Sequence, residues 1–285
     1  METTTVLSEI RQQFRSGLSG YYPDAEISQI FLLTSEHVLN YSKIDTFLKA
    51  DQPISDEILL KFEEILTRLK NWEPIQYIFG YAWFYGLTVE VDRHVLIPRQ
   101  ETEELVHWII NSEPKNQCRI VDLATGSGCI AVSLAVNLKN AAVSACDISA
   151  GVLATAIKNA GLNKASVDFF TFDLLNDNDT LPGKYQVMVS NPPYVTPEEI
   201  VLMKKNVLDY EPHMALFVPD HDPLIFYKRI ALLARKNLLD GGSLYLEINE
   251  KFPDEVSSLL KSAGLYAVEV RKDLNGRWRM VKAKK

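Results

Sequence analysis

The first 75 residues carry apolar positions at helical spacing. Val6, Leu7, Ile10 and Phe14 fall on one face, and Ile27, Ile30, Phe31 and the run from Leu33 to Val38 do so more loosely. Ile58, Leu59, Phe62, Ile65, Leu66 and Leu69 form the clearest stripe, because steps of one, three and four keep one side of a helix apolar. Residues 1–75 are therefore expected to form a small all-helical domain. From Pro74 to Gln100 the pattern changes to aromatic and β-branched residues broken by glycine: Tyr77, Phe79, Gly80, Trp83, Phe84 and Gly86, then Val89, Val91, Val95 and Ile97. This predicts a β-hairpin linker over 76–100.

Over residues 101–285 short apolar runs alternate with helical stretches. The expected strands are 119–123, 143–146, 167–171, 186–190 and 243–248, then 265–271 and 277–282. Alternation of this kind implies right-handed crossovers and a parallel sheet covered on both faces. The last two runs are separated by Asp273-Leu274-Asn275-Gly276, and Asn-Gly is a strong hairpin signal, so the final strand is expected to return antiparallel at the sheet edge. The expected fold is α/β: a Rossmann-like, mostly parallel seven-stranded sheet with a small all-α amino-terminal domain joined by a hairpin.

A chain of 285 residues fits two domains, and 47% hydrophobic with 24% charged residues excludes a disordered chain. The formal charge is −7. Residues 1–75 hold 12 acidic and 7 basic side chains, so most of the negative charge belongs to the helical part. That balance gives no electrostatic reason to expect a stable nucleic-acid partner. Cys118, Cys129 and Cys146 form no C-x-x-C pair and are odd in number, which argues for buried reduced thiols rather than a disulfide framework or zinc site. The five histidines, His213 and His221 among them, lack metal-ligand spacing, so no metal is expected. No basic leader with a long apolar run and no stretch of ~20 apolar residues occurs, so a soluble, cytoplasmic protein without membrane attachment is expected.

Chemistry concentrates in two loops. After the first expected strand, Val121-Asp122-Leu123-Ala124-Thr125-Gly126-Ser127-Gly128-Cys129-Ile130-Ala131 enters a helix through a turn of small residues. Glycine there lets backbone N–H groups approach a ligand, and the helix N-terminus favours a carboxylate or phosphate. Gly126-x-Gly128-x-x-Ala131 also fits the dinucleotide fingerprint, so the loop alone separates neither a nicotinamide from an adenosyl cofactor nor either from a plain tight turn. Asp147, 19 residues beyond Gly128, can accept hydrogen bonds from both ribose hydroxyls or simply open a helix. Asp173, after the third strand, can lie near an adenine or be a solvated loop acid. Asp122 beneath the loop suits a ligand bearing an ammonium group, which a pyrophosphate lacks, and so points to the methionine portion of S-adenosylmethionine.

After the fourth expected strand comes Asn191-Pro192-Pro193-Tyr194. Ligands of doubly wound sheets bind beyond the carboxyl ends of the strands, where this loop lies. The Asn191 side-chain oxygen and the Pro192 carbonyl are two adjacent acceptors, held by prolines that donate nothing, and they match an –NH₂ group. Tyr194 can lie against a planar amide or base.

This tetrapeptide resembles the catalytic motif of amino-group methyltransferases. The longer pattern is similar to the peptide chain release factor N5-glutamine methyltransferase (HemK/PrmC) family. The resemblance rests on Leu96-Ile97-Pro98-Arg99-Gln100-Glu101-Thr102-Glu103, the loop from Asp122 to Gly128, the Asn191 motif, Tyr210-Glu211-Pro212-His213-Met214-Ala215-Leu216, and Lys272-Asp273-Leu274-Asn275-Gly276-Arg277. It implies methyl transfer from S-adenosylmethionine, leaving S-adenosylhomocysteine, to the side-chain amide nitrogen of the glutamine in the Gly-Gly-Gln loop of class-1 release factors. It also implies catalytic and substrate-binding roles for Asn191, Pro192, Pro193 and Tyr194. Cofactor contacts are implied at Asp122, at Ala124, Thr125, Gly126, Ser127 and Gly128, at Asp147, Asp173 and Leu174, and at Asn191. A monomer is expected. Two positions depart from the family pattern: Ala124 stands for Gly and Gln100 for Pro. An alanine at positive φ would cost about 1 kcal/mol or more, unless the backbone is ordinary there.

Two other classes share parts of this pattern. An adenine or guanine amino methyltransferase would use the same Asn191 motif but should carry a basic track for the phosphate backbone. A nicotinamide dehydrogenase would use the glycine loop and leave the Asn191 motif unexplained.

Overall fold

The computed structural model describes residues 5–113 and 117–285. The chain divides into two compact units, Met1–Gly80 with Lys204–Tyr210, and Tyr81–Met203 with Glu211–Lys285.

The first unit is built on helices α1 (Leu7–Leu18), α2 (Asp24–Leu39), α3 (Lys43–Leu48), α4 (Asp56–Lys70) and α5 (Ile75–Phe79). The apolar stripes face inward: Leu7, Ile10, Phe14 and Leu18 of α1 are buried, as are Phe62, Ile65 and Leu69 of α4. Phe14, Phe31 and Phe62 pack with ring centroids 5.6, 6.0 and 6.2 Å apart, so one aromatic cluster joins three helices. Ser42 caps α3 with a reciprocal pair of hydrogen bonds, Asp45 N to Ser42 Oγ and Ser42 N to Asp45 Oδ2. Residues 75–79, expected to lie in a hairpin, are instead the helix α5, closed by Gly80 at φ +79.

The second unit opens with an antiparallel hairpin, β1 (Tyr81–Phe84) and β2 (Leu87–Glu90). Its turn residues Tyr85 and Gly86 both have positive φ, the conformation that matches strand twist in two-residue hairpin loops. The α/β part follows: α6 (Gln100–Ser112), β3 (Arg119–Leu123), α7 (Cys129–Asn137), β4 (Ala142–Asp147), α8 (Ala150–Leu162), β5 (Val167–Thr171) and β6 (Tyr185–Ser190). After a 3-10 turn come α9 (Lys205–Tyr210), which groups with the first unit, and α10 (His213–Leu216). The chain ends with α11 (Ile225–Asn237), β7 (Leu238–Glu247), α12 (Pro253–Ser262), β8 (Tyr266–Lys272) and β9 (Trp278–Lys284).

The seven-stranded sheet has the order β5-β4-β3-β6-β7-β9-β8. β3 pairs in parallel with β4 on one side and β6 on the other. The sheet therefore reverses its winding direction between β3 and β6, and the loops leaving their carboxyl ends lie side by side. Register sets them level: Leu123 is paired with Ser190, whose Oγ donates to the Leu123 carbonyl at 2.7 Å. β9 runs antiparallel as expected, but it is inserted between β7 and β8, and the edge strand is β8. Val281 and Ala283 of β9 are fully buried, whereas β8 is mostly exposed, so the more apolar strand takes the inner position.

Candidate active site

The glycine loop connects β3 to α7 in a strained path. Ala124, Gly126 and Gly128 have φ of +55, +57 and +79. Ala124 thus occupies the left-handed region with a Cβ, and its backbone is not ordinary there. Gly128 has a second reason to be glycine: a Cβ there would stand 2.9 Å from the Ala156 Cβ. The loop is held from three sides. Thr125 N donates to the Cys146 carbonyl at 2.9 Å, and Gly126 N donates to Asp147 Oδ2 at 3.0 Å. The fully buried Asn159 donates to the Ser127 carbonyl at 2.8 Å and exchanges hydrogen bonds with Glu90 N and O of β2. The hairpin is thereby tied to the glycine loop through one asparagine.

A cavity of about 400 Å³ opens beside this loop, within the usual range for small-ligand sites. Ala124, Thr125, Gly126, Ser127, Asp147, Asp173, Leu174, Asn191 and Pro193 all line it. Its apolar wall includes Ile148, Phe172 and Phe226. Asp147 is held by Gly126 N and, at 3.3 Å, by Ser149 N, and burial raises its pKa despite those amides. Asp173 Oδ1 accepts from Leu175 N, while Asp173 N donates to Asp179, which fixes the turn after β5.

Four expected residues are absent from the cavity wall. Asp122 is fully buried beneath the loop and accepts the Thr125 hydroxyl at 2.6 Å, so it braces the loop instead of facing a ligand's ammonium group. Its Oδ1 has no hydrogen-bond partner among the described residues, and burial pushes its pKa up to about 7 against the Thr125 hydroxyl and the Ala131 amide. Gly128 and Pro192 are buried behind the wall. Tyr194 packs against the core under the sheet's end, with its hydroxyl donating to Glu247 Oε1 at 2.8 Å, and so offers no ring face to the cavity.

Asn191 is oriented by residues that pattern reasoning missed. Its Nδ2 donates to Thr102 Oγ1 at 3.2 Å, and Thr102 in turn donates to Glu247 Oε2 at 2.6 Å. Burial raises the pKa of Glu247, while the Thr102 and Tyr194 hydroxyls and the Arg279 charge oppose it. Thr102 lies in the segment 96–103 and Glu247 in an expected strand. Only the three-dimensional approach of β7, α6 and the Asn191 loop reveals their joint use.

Two further segments shape the cavity: Val95, Leu96, Pro98 and Arg99 from one stretch, and Pro212, Met214 and Ala215 from another. Glu211 joins them. Its buried carboxylate accepts from Arg99 Nη2 at 2.6 Å and from Ile97 N at 3.3 Å. Among the described residues no group of three or more His, Cys, Asp or Glu is placed to hold a metal ion.

A doubly wound sheet with its cavity at the β3/β6 switch point, flanked by a glycine loop and an Asn-Pro-Pro-Tyr loop, defines a methyltransferase. The methyltransferase small domain matches residues 102–208, and the PrmC N-terminal domain matches residues 9–80. The chain is 42% identical over 281 residues to the release factor glutamine methyltransferase of Flavobacterium psychrophilum, covering 97% of this chain and 98% of that one. The release factor glutamine methyltransferase of Bacteroides thetaiotaomicron is 42% identical over 277 residues, covering 97% and 99%. The chain belongs to the release factor glutamine methyltransferase family. Among solved structures, a methyltransferase from Pyrococcus furiosus shares the fold at TM-score 0.51 and 18% identity, covering 70% of this chain and 89% of that one. So does the T. thermophilus 16S rRNA N2 G1207 methyltransferase in complex with AdoMet and guanosine, at TM-score 0.51 and 16% identity, covering 72% and 49%.

Proposed function

We propose that this protein transfers a methyl group from S-adenosylmethionine to the side-chain amide nitrogen of the glutamine in the Gly-Gly-Gln loop of class-1 release factors. The observation that carries the reading is Asn191: on the cavity wall beside the glycine loop, its Nδ2 is engaged by Thr102, which leaves Oδ1 to accept a substrate N–H. Membership of the family supplies the substrate.

The cavity fits an adenosyl ligand. Ile148, Phe172, Leu174 and Phe226 offer an apolar wall for a base, Asp147 presents a carboxylate for ribose hydroxyls, and the positive-φ loop brings backbone close to the ligand. S-adenosylmethionine held by these residues would supply an electrophilic sulfonium methyl for the amide nitrogen, its sulfur keeping the electron pair of the broken sulfur–carbon bond.

A carboxamide nitrogen is a poor nucleophile, because its lone pair is delocalised into the carbonyl. The protein's contribution is placement. Asn191 Oδ1, on the cavity wall, accepts an amide hydrogen, aims the lone pair, and stabilises the positive charge that develops on nitrogen. Orientation of this kind can supply up to roughly 7–11 kcal/mol, so no dedicated base is required. The amide proton leaves after transfer. Tyr194 holds the Asn191 loop through Glu247, Pro193 lines the cavity beside Asn191, and Asp122 holds the glycine loop through Thr125.

The net charge supports a protein substrate over DNA or RNA. A cytoplasmic monomer is part of this reading, and no helix among the described residues is long and apolar enough to cross a membrane. Calorimetric titration of the purified protein with S-adenosylmethionine and with NAD tests the cofactor class. The reading predicts saturable heat with the first alone, and binding of NAD alone would contradict it.

A further inference from the structure

Asn191 must present its oxygen, not its amino group, to a carboxamide, and a chain of three hydrogen bonds decides which end faces the cavity. Asn191 Nδ2 donates to Thr102 Oγ1 at 3.2 Å, Thr102 donates to Glu247 Oε2 at 2.6 Å, and Glu247 Oε1 accepts the Tyr194 hydroxyl at 2.8 Å. Thr102 and Glu247 are 2% and 1% exposed, so their hydrogen bond is buried. Both Glu247 oxygens accept, one from the Thr102 hydroxyl and one from the Tyr194 hydroxyl, and a threonine hydroxyl has a single proton. With that proton directed at Glu247, Thr102 has only lone pairs to offer, and only the –NH₂ end of Asn191 can meet them. Arg279, whose Nη1 lies 3.5 Å from the Tyr194 hydroxyl and 3.4 Å from the Ile248 carbonyl, brings positive charge to the buried carboxylate.

We propose that Thr102 and Glu247 are positioning residues that lock the Asn191 carboxamide, and that this lock makes the site select a carboxamide over a carboxylate in the substrate side chain. The inference rests on the reading of Asn191 given above. The fixed acceptor Asn191 Oδ1 complements a hydrogen of –NH₂ and repels a carboxylate oxygen. An Asn191 free to turn would offer Nδ2 to a glutamate in the glutamine's place. The selection is thus built into the direction of hydrogen bonds two residues away from the substrate.

The test uses the full-length protein and its Thr102→Val, Thr102→Ser and Glu247→Gln variants. Methyl transfer from labelled S-adenosylmethionine to a Gly-Gly-Gln release factor is measured, with the Gly-Gly-Glu form of the same factor as a competitive inhibitor. Thr102→Val is isosteric and removes only the hydroxyl relay. It should lower kcat on the order of 10²-fold, as expected for a misplaced reactive group, while S-adenosylmethionine affinity stays at the wild-type value. It should also strengthen inhibition by the Gly-Gly-Glu form on the order of tenfold, the loss of one or two charge-assisted discriminating contacts. Thr102→Ser restores both properties, and Glu247→Gln, which can donate to Thr102 and reverse the relay, behaves like Thr102→Val. A purely structural role would lower activity without changing amide-over-acid selection. Unchanged selection in Thr102→Val and Glu247→Gln, or equal losses in Thr102→Ser and Thr102→Val, overturns the proposal. Failure of the wild-type protein to label the Gly-Gly-Gln factor overturns the underlying reading instead, and the proposal with it.

Discussion

Arg99 Nη2 donates to Glu211 Oε1 at 2.6 Å, joining residues 112 positions apart. Glu211 is 3% exposed, and Arg99 is about one-third exposed at its side chain. The pair fastens the stretch before α6 to the stretch before α10, both of which line the cavity. Arg99→Ala leaves a buried carboxylate without its charge partner and should destabilise the protein by about 2–4 kcal/mol, below the full cost for a wholly buried pair because Arg99 is partly solvated. Urea unfolding checks this. The double variant Arg99→Met with Glu211→Leu should lose less stability than Arg99→Ala alone, since no unpaired charge remains.

Asn191→Ala removes the side-chain acceptor proposed for the substrate amide. Methyl transfer should fall by about 10²–10³-fold, the usual consequence of deleting one preorganised hydrogen-bonding group. Affinity for S-adenosylmethionine, measured by calorimetry, should change little. Retention of wild-type turnover would remove Asn191 from the mechanism.

Asp122 links stability to pH. Its folded pKa is pushed up from 3.8 to about 7, chiefly by burial, so the folded state binds a proton that the unfolded state has released over that interval. Its contribution is therefore fully present below the unfolded pKa and is lost as pH rises through about 7. Asp122→Asn keeps a partner for the Thr125 hydroxyl and cannot titrate. The variant should gain stability relative to wild type as pH rises from 4 to 8, read from paired thermal melts across that range. A constant difference between the two proteins would show that Asp122 is ionised throughout.

The two departures from the family pattern have different backbone settings. Ala124 sits at φ +55, a left-handed conformation that costs an L-residue about 1–2 kcal/mol. Glycine relieves it but gains freedom in the unfolded chain, so Ala124→Gly should stabilise by about 0.5–1 kcal/mol. Gln100 is the first residue of α6, and Arg99 before it is extended at φ −104, ψ 150, which suits a following proline. Gln100→Pro should add about 0.4–1 kcal/mol. Melting temperatures of the two single variants check both expectations.

Hydrophobic period marked the helical segment and placed the parallel strands β3 to β6 to within about one residue, because a buried parallel strand needs a continuous apolar run, whereas β7 begins at Leu238, five residues before the expected start. It did not reveal that β9 enters between β7 and β8, since pairing order among antiparallel strands depends on which strand is more deeply buried, not on its spacing. That the glycine loop and Asn191 share one cavity was legible, because both are local motifs at the carboxyl ends of neighbouring strands. Thr102, Glu247 and Asn159 were not. Each acts through a partner between 32 and 145 residues distant, and an isolated Thr, Glu or Asn carries no mark of that use. The residue types of Asp122 and Tyr194 suit a ligand, whereas Asp122 accepts the Thr125 hydroxyl and Tyr194 donates to Glu247.

The most direct test is tandem mass spectrometry of a class-1 release factor after incubation with the protein and S-adenosylmethionine. The account predicts one added methyl group on the side-chain amide of the Gly-Gly-Gln glutamine, and none when that glutamine is replaced by alanine. A methyl group on another residue, or equal modification of both factors, would contradict it.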